Sequence, residues 1–285
     1  MCIICSGDYH GLKEIECSHC PKLKNIPIIT GLKKLICINC KNLRTISIIP
    51  GLKILNCSYN ISLTKIPNIH NLKYLLCSNC PNLIKIPDIH SLKELSCSQC
   101  INLEEIPIIP GLKYLHCSHC PKLKEIPVIL DLEKIMCVNT GIKQIPVIPG
   151  LKELCCSDCT SLIKIPDLHS LEILWCGSCP RLTEILVTHD LKLLSCCNCK
   201  SLTKIPAVYC LAFTTKCPWL EHTDEDEFEE NLSKLITLQK YVKKYHKLKI
   251  CKRWVESDDF REWYYHPEGP GGIKAILRLN NKTKM

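Results

Sequence analysis

Cysteine carries most of the chemical possibility in this sequence, at 25 of 285 residues. Eight C-x-x-C pairs stand at 17/20, 37/40, 77/80, 97/100, 117/120, 156/159, 176/179 and 196/199. Pairs one repeat apart read C-x2-C, a gap of about sixteen residues, then C-x2-C, a spacing at which four thiolates can hold zinc. The run H-C-S-H-C at 116–120 sets His116 and His119 beside Cys117 and Cys120, the residue types of a thiol nucleophile and its base. Such cysteine density also suits a small secreted protein stapled by disulfides. The count is odd, however, and Met1 to Gly11 carries Asp8 and His10 with no long apolar stretch. We therefore expect no signal peptide, reduced thiols and a cytoplasmic protein. No run of about eighteen apolar residues occurs, so no membrane span is expected.

Which of these chemistries the cysteines can perform depends on the frame that holds them. Leu12, Leu32, Leu52, Leu72, Leu92, Leu112 and Leu132 recur every twenty residues; one residue is then lost, and Leu151, Leu171, Leu191 and Leu211 resume the beat. A unit so short has no core of its own and must stack on its neighbours. Counting the leading leucine as position 1, each rung reads L-x-x-L-x-C-x-x-C-x-x-L. Alternation over positions 4 to 8 predicts a short strand, with 4 and 6 inward and 3, 5 and 7 outward. Successive strands run the same way, so the sheet is parallel. Proline fills position 16 at Pro27, Pro67, Pro87, Pro107, Pro127, Pro146, Pro166 and Pro206, which argues for non-helical backs. Gly31, Gly51, Gly111 and Gly150 mark turns into the next strand.

In that frame both cysteines of a rung point inward and behave as small apolar groups. Two rungs favour core over metal: Asn60 follows Cys57, and Thr140 follows Cys137, where other rungs have the second cysteine. A zinc array would be left with open positions there, whereas asparagine, threonine and cysteine can all serve a ladder along the backbone. Cysteines three apart on an extended segment stand about 10 Å apart, beyond the ~7 Å disulfide reach. Cys117 and Cys120 face inward while His116 faces out, which separates nucleophile from base. Histidines at the rung junctions, His10, His70, His90, His169 and His189, are read as exposed turn residues, although the pairs 70/90 and 169/189 could approach a metal. Cys2, Cys5, Cys155, Cys197, Cys210, Cys217 and Cys251 fall outside the register and are read as exposed and oxidisable, with no role assigned. No metal and no other cofactor is expected, and no catalytic residue is named.

The stretch I-P-x-I-P-G-L-K-x-L-x-C-x-x-C/N-x-x-L resembles the short, twenty-residue class of leucine-rich repeats, over roughly 12–220. Cysteine-rich rungs, with S-D-D-F-R-E-W-Y-Y-H-P-E-G-P-G-G at 257–272, look most like leucine-rich repeat proteins of giant viruses of the mimivirus kind. The resemblance implies a mainly β, right-handed solenoid with its parallel sheet on the concave face, and a host protein as partner. Bacterial effectors with this repeat class can carry a ubiquitin-ligase domain after the array; the 65 residues here are too few, and Cys251 lies in no matching motif.

Outward positions carry what function the sequence suggests. Ile36, Ile54, Tyr74, Leu76, Tyr114, Met136, Ile173 and Trp175 are large apolar groups expected on the open face, with His116 among them. Exposed apolar clusters mark contact surfaces, and aromatic side chains are favoured anchors. Position 2 is lysine in eight of ten rungs, with Glu133 and Glu172 the exceptions. Within it, Lys53, Lys73, Lys93 and Lys113 would form a stripe steering an acidic protein partner. Residues 1–220 hold 24 Lys/Arg against 16 Asp/Glu, a net +8 of the chain's +9. No nucleic-acid module accompanies that charge, so nucleic acid and membrane are not expected as partners. Beyond 220, seven acids at 221–230 precede seven bases at 240–253. Thr223 starts a helix with the acids at its positive end, and a second short helix is expected from Ser257. The domains are thus a partial repeat or cap at 1–11, the array at 12–220 and a helical cap with basic tail at 221–285. The expected function is a monomeric, non-catalytic protein-interaction scaffold; the alternatives are a ubiquitin-ligase-type adaptor or effector, or a zinc-binding C-x-x-C array.

Overall fold

The computed structural model describes residues 2–186, 191–203, 211–213 and 217. The chain divides between Pro218 and Trp219. The expected helices from Thr223 and Ser257, together with Cys210, Cys251 and His189, lie outside the described residues. Among the described residues, the first unit is a β-solenoid whose only helix is the single turn Ile3–Ser6. Eleven three-residue strands, from Glu14–Glu16 to Leu211–Phe213, pair in parallel in chain order into one sheet. Register advances one rung at a time: Tyr74 pairs with Glu94, Leu75 with Leu95, Leu76 with Ser96.

Seven positions per rung point inward, as the rung Leu72–Ser91 shows: Leu72, Leu75, Cys77, Cys80, Leu83, Ile86 and Ile89 are all buried. These are positions 1, 4, 6, 9, 12, 15 and 18, so an inward residue recurs about every third step around the coil. No rung could bury that set alone; stacking supplies the core. On the return side the prolines leave an extended chain, with short parallel pairings only, as between Asn25–Ile26 and Thr45–Ile46. Asn82 and Asn102 bridge rungs there, their side-chain amides donating to the carbonyls of Ile61 and Pro81.

Two local expectations are corrected. Strands occupy positions 3 to 5, not 4 to 8, because the chain turns at position 8. There His19, Asn39, Tyr59, Asn79, Gln99, His119, Asn139, Asp158, Ser178 and Asn198 all have φ between 53° and 62°. This left-handed residue still aims its N–H along the stack, as from Asn79 to the Ser98 carbonyl at 2.7 Å. Position 7, expected outward, is folded partly under by the turn: Ser58, Ser98 and Ser118 are buried. The lost residue falls between Thr140 and Ile142, where Gly141 closes the shortened turn. A Cβ at Gly141 would lie 2.4 Å from the Pro121 carbonyl oxygen, so only glycine fits without a shift.

Candidate functional site

Positions 3 and 5 of the strands build the open face in two columns. Within it a shallow, mainly apolar depression of about 170 Å³ is lined by Leu76, Tyr114, His116 and Met136, with Glu94 and Lys134 at its polar edge. Four of the expected face residues therefore meet at one place. Tyr74 and Ile54 lie beside each other in the next rungs along. Ile36, Ile173 and Trp175 are half-buried in the same columns but outside the depression. Burial, with His119 and Lys134 nearby, lowers the His116 pKa, so its ring enters the depression neutral at pH 7.

The lysine column is less uniform than its sequence suggests. Lys113 pairs with Glu133 at 2.7 Å, and Lys152 reaches the same carboxylate at 3.0 Å. Those two hydrogen-bonded cations hold Glu133 below the usual carboxylate range. Lys113 is thereby spent within the column. Among the described residues no carboxylate lies in ion-pair range of Lys53, Lys73 or Lys93, and Lys93 instead donates to the Gly111 carbonyl. A free positive run thus spans three rungs.

The most exposed apolar row is elsewhere. Ile28, Ile48, Ile108, Val128 and Val147, at position 17 (after the proline, or after Ser47 for Ile48), are 53–63% exposed, against 38% for Tyr74 and 42% for Tyr114. The signal was readable: positions 15 and 18 are inward, so the residue between them and the proline must face solvent.

The cysteines fall into two environments. In interior rungs the position-9 thiol donates to the position-6 carbonyl of the rung before: Cys100 to Cys77 at 3.2 Å, Cys120 to Cys97 at 3.3 Å, Cys179 to Cys156 at 3.2 Å. The same sulfur accepts from the preceding position-9 N–H, as Cys100 does from Cys80. Asn60 makes the equivalent pair with its amide, donating to the Cys37 carbonyl at 2.7 Å and accepting from the Cys40 N–H at 2.8 Å. Thr140 donates to the Cys137 carbonyl of its own rung. Thiol, amide and hydroxyl are alternative occupants of one ladder. Burial pushes most of these thiols up, Cys80 and Cys120 to about 12 and Cys100 to about 11, whereas hydrogen bonds from Cys137 and Thr140 lower Cys159 to about 7 and one from Cys179 lowers Cys199. Cys117, wholly buried, lies on the opposite side of its strand from His116 and is likewise pushed well up. Cys217, expected exposed, is buried and donates to the Cys196 carbonyl at 3.0 Å; the shortened last rung keeps the ladder. Cys155 and Cys197 are half-buried. The junction histidines described are exposed, and His90 and His169 pair with Asp88 and Asp167 of their own rungs.

The second environment is the amino-terminal edge, where the half-buried Cys2 and Cys5 meet Cys17 and Cys20. Cys2 Sγ lies 3.3 Å from Cys5 Sγ, and Cys5 Sγ lies 3.7 Å from Cys20 Sγ. The sulfurs of Cys2, Cys17 and Cys20 are all within 4.8 Å of one another. Among the described residues no other group of three His, Cys, Asp or Glu brings ligand atoms so close. Burial resists ionisation of Cys2, yet hydrogen bonds from Cys17, Cys5 and Cys20 outweigh it and lower its pKa to about 7. A reading that starts its register at Leu12 leaves the pair C-I-I-C unjoined to the first rung.

No protein-family model and no curated protein matches the chain. Among solved structures, a leucine-rich repeat protein from Bacteroides ovatus is similar over 72% of this chain and 67% of that chain, with a TM-score of 0.50 and 18% identity. The likeness is one of fold: this chain folds as a leucine-rich-repeat solenoid. No helix among the described residues is long and apolar enough to cross a membrane.

Proposed function

We propose that the protein is a non-catalytic interaction scaffold that binds a protein partner across the open face of its sheet. One observation carries the reading: Leu76, Tyr114, His116 and Met136 converge on an apolar depression, a shape that seats a partner's apolar anchor within a polar rim. Tyr74, Ile54, Ile36, Ile173 and Trp175 extend the contact along the columns. Lys53, Lys73 and Lys93 would steer an acidic partner, raising its association rate more than its final affinity; Lys113, already paired, adds little. The resemblance to giant-virus repeat proteins makes a host protein the first partner to test. The same reading takes the solenoid as right-handed, concave on its sheet side, capped by helices over 221–285, monomeric and cytoplasmic.

The test begins with capture from host lysate, identification by mass spectrometry and measurement with the purified partner. Tyr114→Ala with Met136→Ala should speed dissociation by about 2 kcal/mol or more. Charge reversal at Lys53, Lys73 and Lys93 should slow association and flatten its salt dependence. A second reading rests on the exposed row at position 17. If Ile108→Ser with Val128→Ser abolishes binding while the face substitutions leave it unchanged, the partner sits on the return side. If only deletion beyond 220 abolishes it, both array readings fail.

A further inference from the structure

The first rung differs from every interior rung in having no complete rung before it. Cys20 holds the ladder position, but no position-6 carbonyl precedes it to accept its thiol. The space is filled by Cys2 and Cys5. Cys2 stands at the start of the helical turn Ile3–Ser6 and Cys5 lies within it, with Gly7, at φ 88°, ending the turn. Residues three apart on such a turn share one face, and the buried Ile4 holds the turn. The result is two C-x-x-C segments, C-I-I-C and C-S-H-C, with the sulfurs of Cys2, Cys17 and Cys20 clustered and that of Cys5 against Cys2 and Cys20.

We propose that Cys2, Cys5, Cys17 and Cys20 bind one zinc ion as four thiolates. In a tetrahedral tetrathiolate with Zn–S bonds of about 2.3 Å, the sulfurs stand about 3.7–3.8 Å apart. Cys2–Cys5 at 3.3 Å and Cys5–Cys20 at 3.7 Å lie close to that value, and the sulfurs of Cys2, Cys17 and Cys20 are within 4.8 Å of one another. Four thiols become four thiolates, releasing four protons to solvent and leaving a site of net charge −2. The ion ties the turn Ile3–Ser6 to the rung that begins at Leu12. This is one structural site at the edge; the expectation of no metal was argued from the interior rungs, whose sulfurs are occupied by the backbone.

The experiment uses the full chain, reduced and freed of metal, then titrated with zinc or cobalt alone. One equivalent of zinc should bind, and cobalt should give the charge-transfer and visible bands of a tetrahedral tetrathiolate. Zinc should shield Cys2 and Cys5 of the unaltered chain from alkylation, and a chelator should restore their reactivity. Cys2→Ser with Cys5→Ser should lower bound zinc to under a tenth of an equivalent with the circular dichroism of the array kept. Cys155→Ser with Cys197→Ser should keep the full equivalent. A chain that takes up no zinc, or that keeps its equivalent in the Cys2/Cys5 double variant, overturns the proposal. So does a reduced chain that closes a Cys2–Cys5 disulfide in air while zinc is present.

Discussion

Two regions of this molecule carry the same C-x-x-C motif and put it to different chemistry. At Cys97 and Cys100 the second thiol reaches the rung before it, donating to Cys77 and accepting from Cys80. At Cys17 and Cys20 there is no such rung, and the thiols face Cys2 and Cys5 instead. The motif is therefore neutral about chemistry. What decides is whether a backbone carbonyl and N–H stand in reach of the sulfur. Where they do, the thiol is a buried hydrogen-bonding group that must stay protonated to donate. Where they do not, the sulfurs find each other.

The largest effect that could break this contrast is alkaline unfolding. The ladder thiols of Cys80, Cys100 and Cys120 are held at about 11 to 12, against about 8.5 in an unfolded chain, and only Cys159 and Cys199, lowered by hydrogen bonds from neighbouring thiols, oppose them within the interior rungs described. The folded state then binds more protons than the unfolded one between those values, so stability falls as pH rises. The contribution is full below about pH 8.5 and is lost as pH climbs through 11 to 12. Circular dichroism should show one cooperative loss of the array in that window, since many rungs share the penalty. An array unchanged at pH 12 would mean that the interior sulfurs are not locked into the ladder as neutral thiols.

Next in size is the ladder itself. Asn60→Ala strands the buried Cys40 N–H and the Cys37 carbonyl, and should cost about 3 kcal/mol or more in urea unfolding. Asn60→Cys should recover most of that, to within about 1 kcal/mol of the parent, because a thiol can both accept and donate there. Equal losses for alanine and cysteine would show that the sulfur only fills space.

Much of this was legible in the sequence, for reasons that particular residues make plain. From Leu23 through Leu202, the described leucines and isoleucines at positions 1, 4, 12, 15 and 18 are all in the core, so periodicity alone reports them. Asn60 and Thr140 revealed the ladder because they replace cysteine with groups that share its hydrogen bonding and not its metal affinity. Position 8 stayed hidden: its left-handed backbone is filled by His19, Tyr59, Gln99 and Ser178 as well as by asparagine and aspartate. The stacked N–H to carbonyl bond fixes that conformation, overriding the local preference of each residue. Open-face residues were named from alternation, yet their convergence at Leu76, Tyr114, His116 and Met136 depends on side-chain size in neighbouring rungs, which alternation does not encode. Cys2 and Cys5 escaped because they precede the first leucine of the beat.

The shortened rung gives a smaller test within the interior. Gly141→Ala places a methyl 2.4 Å from the Pro121 carbonyl oxygen, and should cost about 2 kcal/mol through forced movement of backbone. The disturbance should stay local, with Cys159 still shielded from alkylation by its bond to the Cys137 carbonyl. If Cys159 becomes reactive, the ladder depends on the spacing of every turn.

The smallest expected effect is at the other end of the contrast. In zinc-free, reduced protein, Cys5→Ser should change stability by less than about 0.5 kcal/mol. Cys5 is half-buried, and among the described residues its sulfur meets Cys2 and Cys20 and no backbone carbonyl. Serine keeps a donor and an acceptor there, at a site where burial first and then the neighbouring Cys2 and Cys20 push the Cys5 thiol up to about 12. The same substitution at Cys100 shortens the side chain that reaches the Cys77 carbonyl and puts a more polar oxygen in a fully buried site, so it should be the costlier of the two by urea unfolding. A zinc-free Cys5→Ser loss as large as that at Cys100 would place Cys5 in the ladder's network and erase the distinction between edge and interior. A small loss without metal that grows once zinc is added would locate the difference between the regions in the ion and not in the packing.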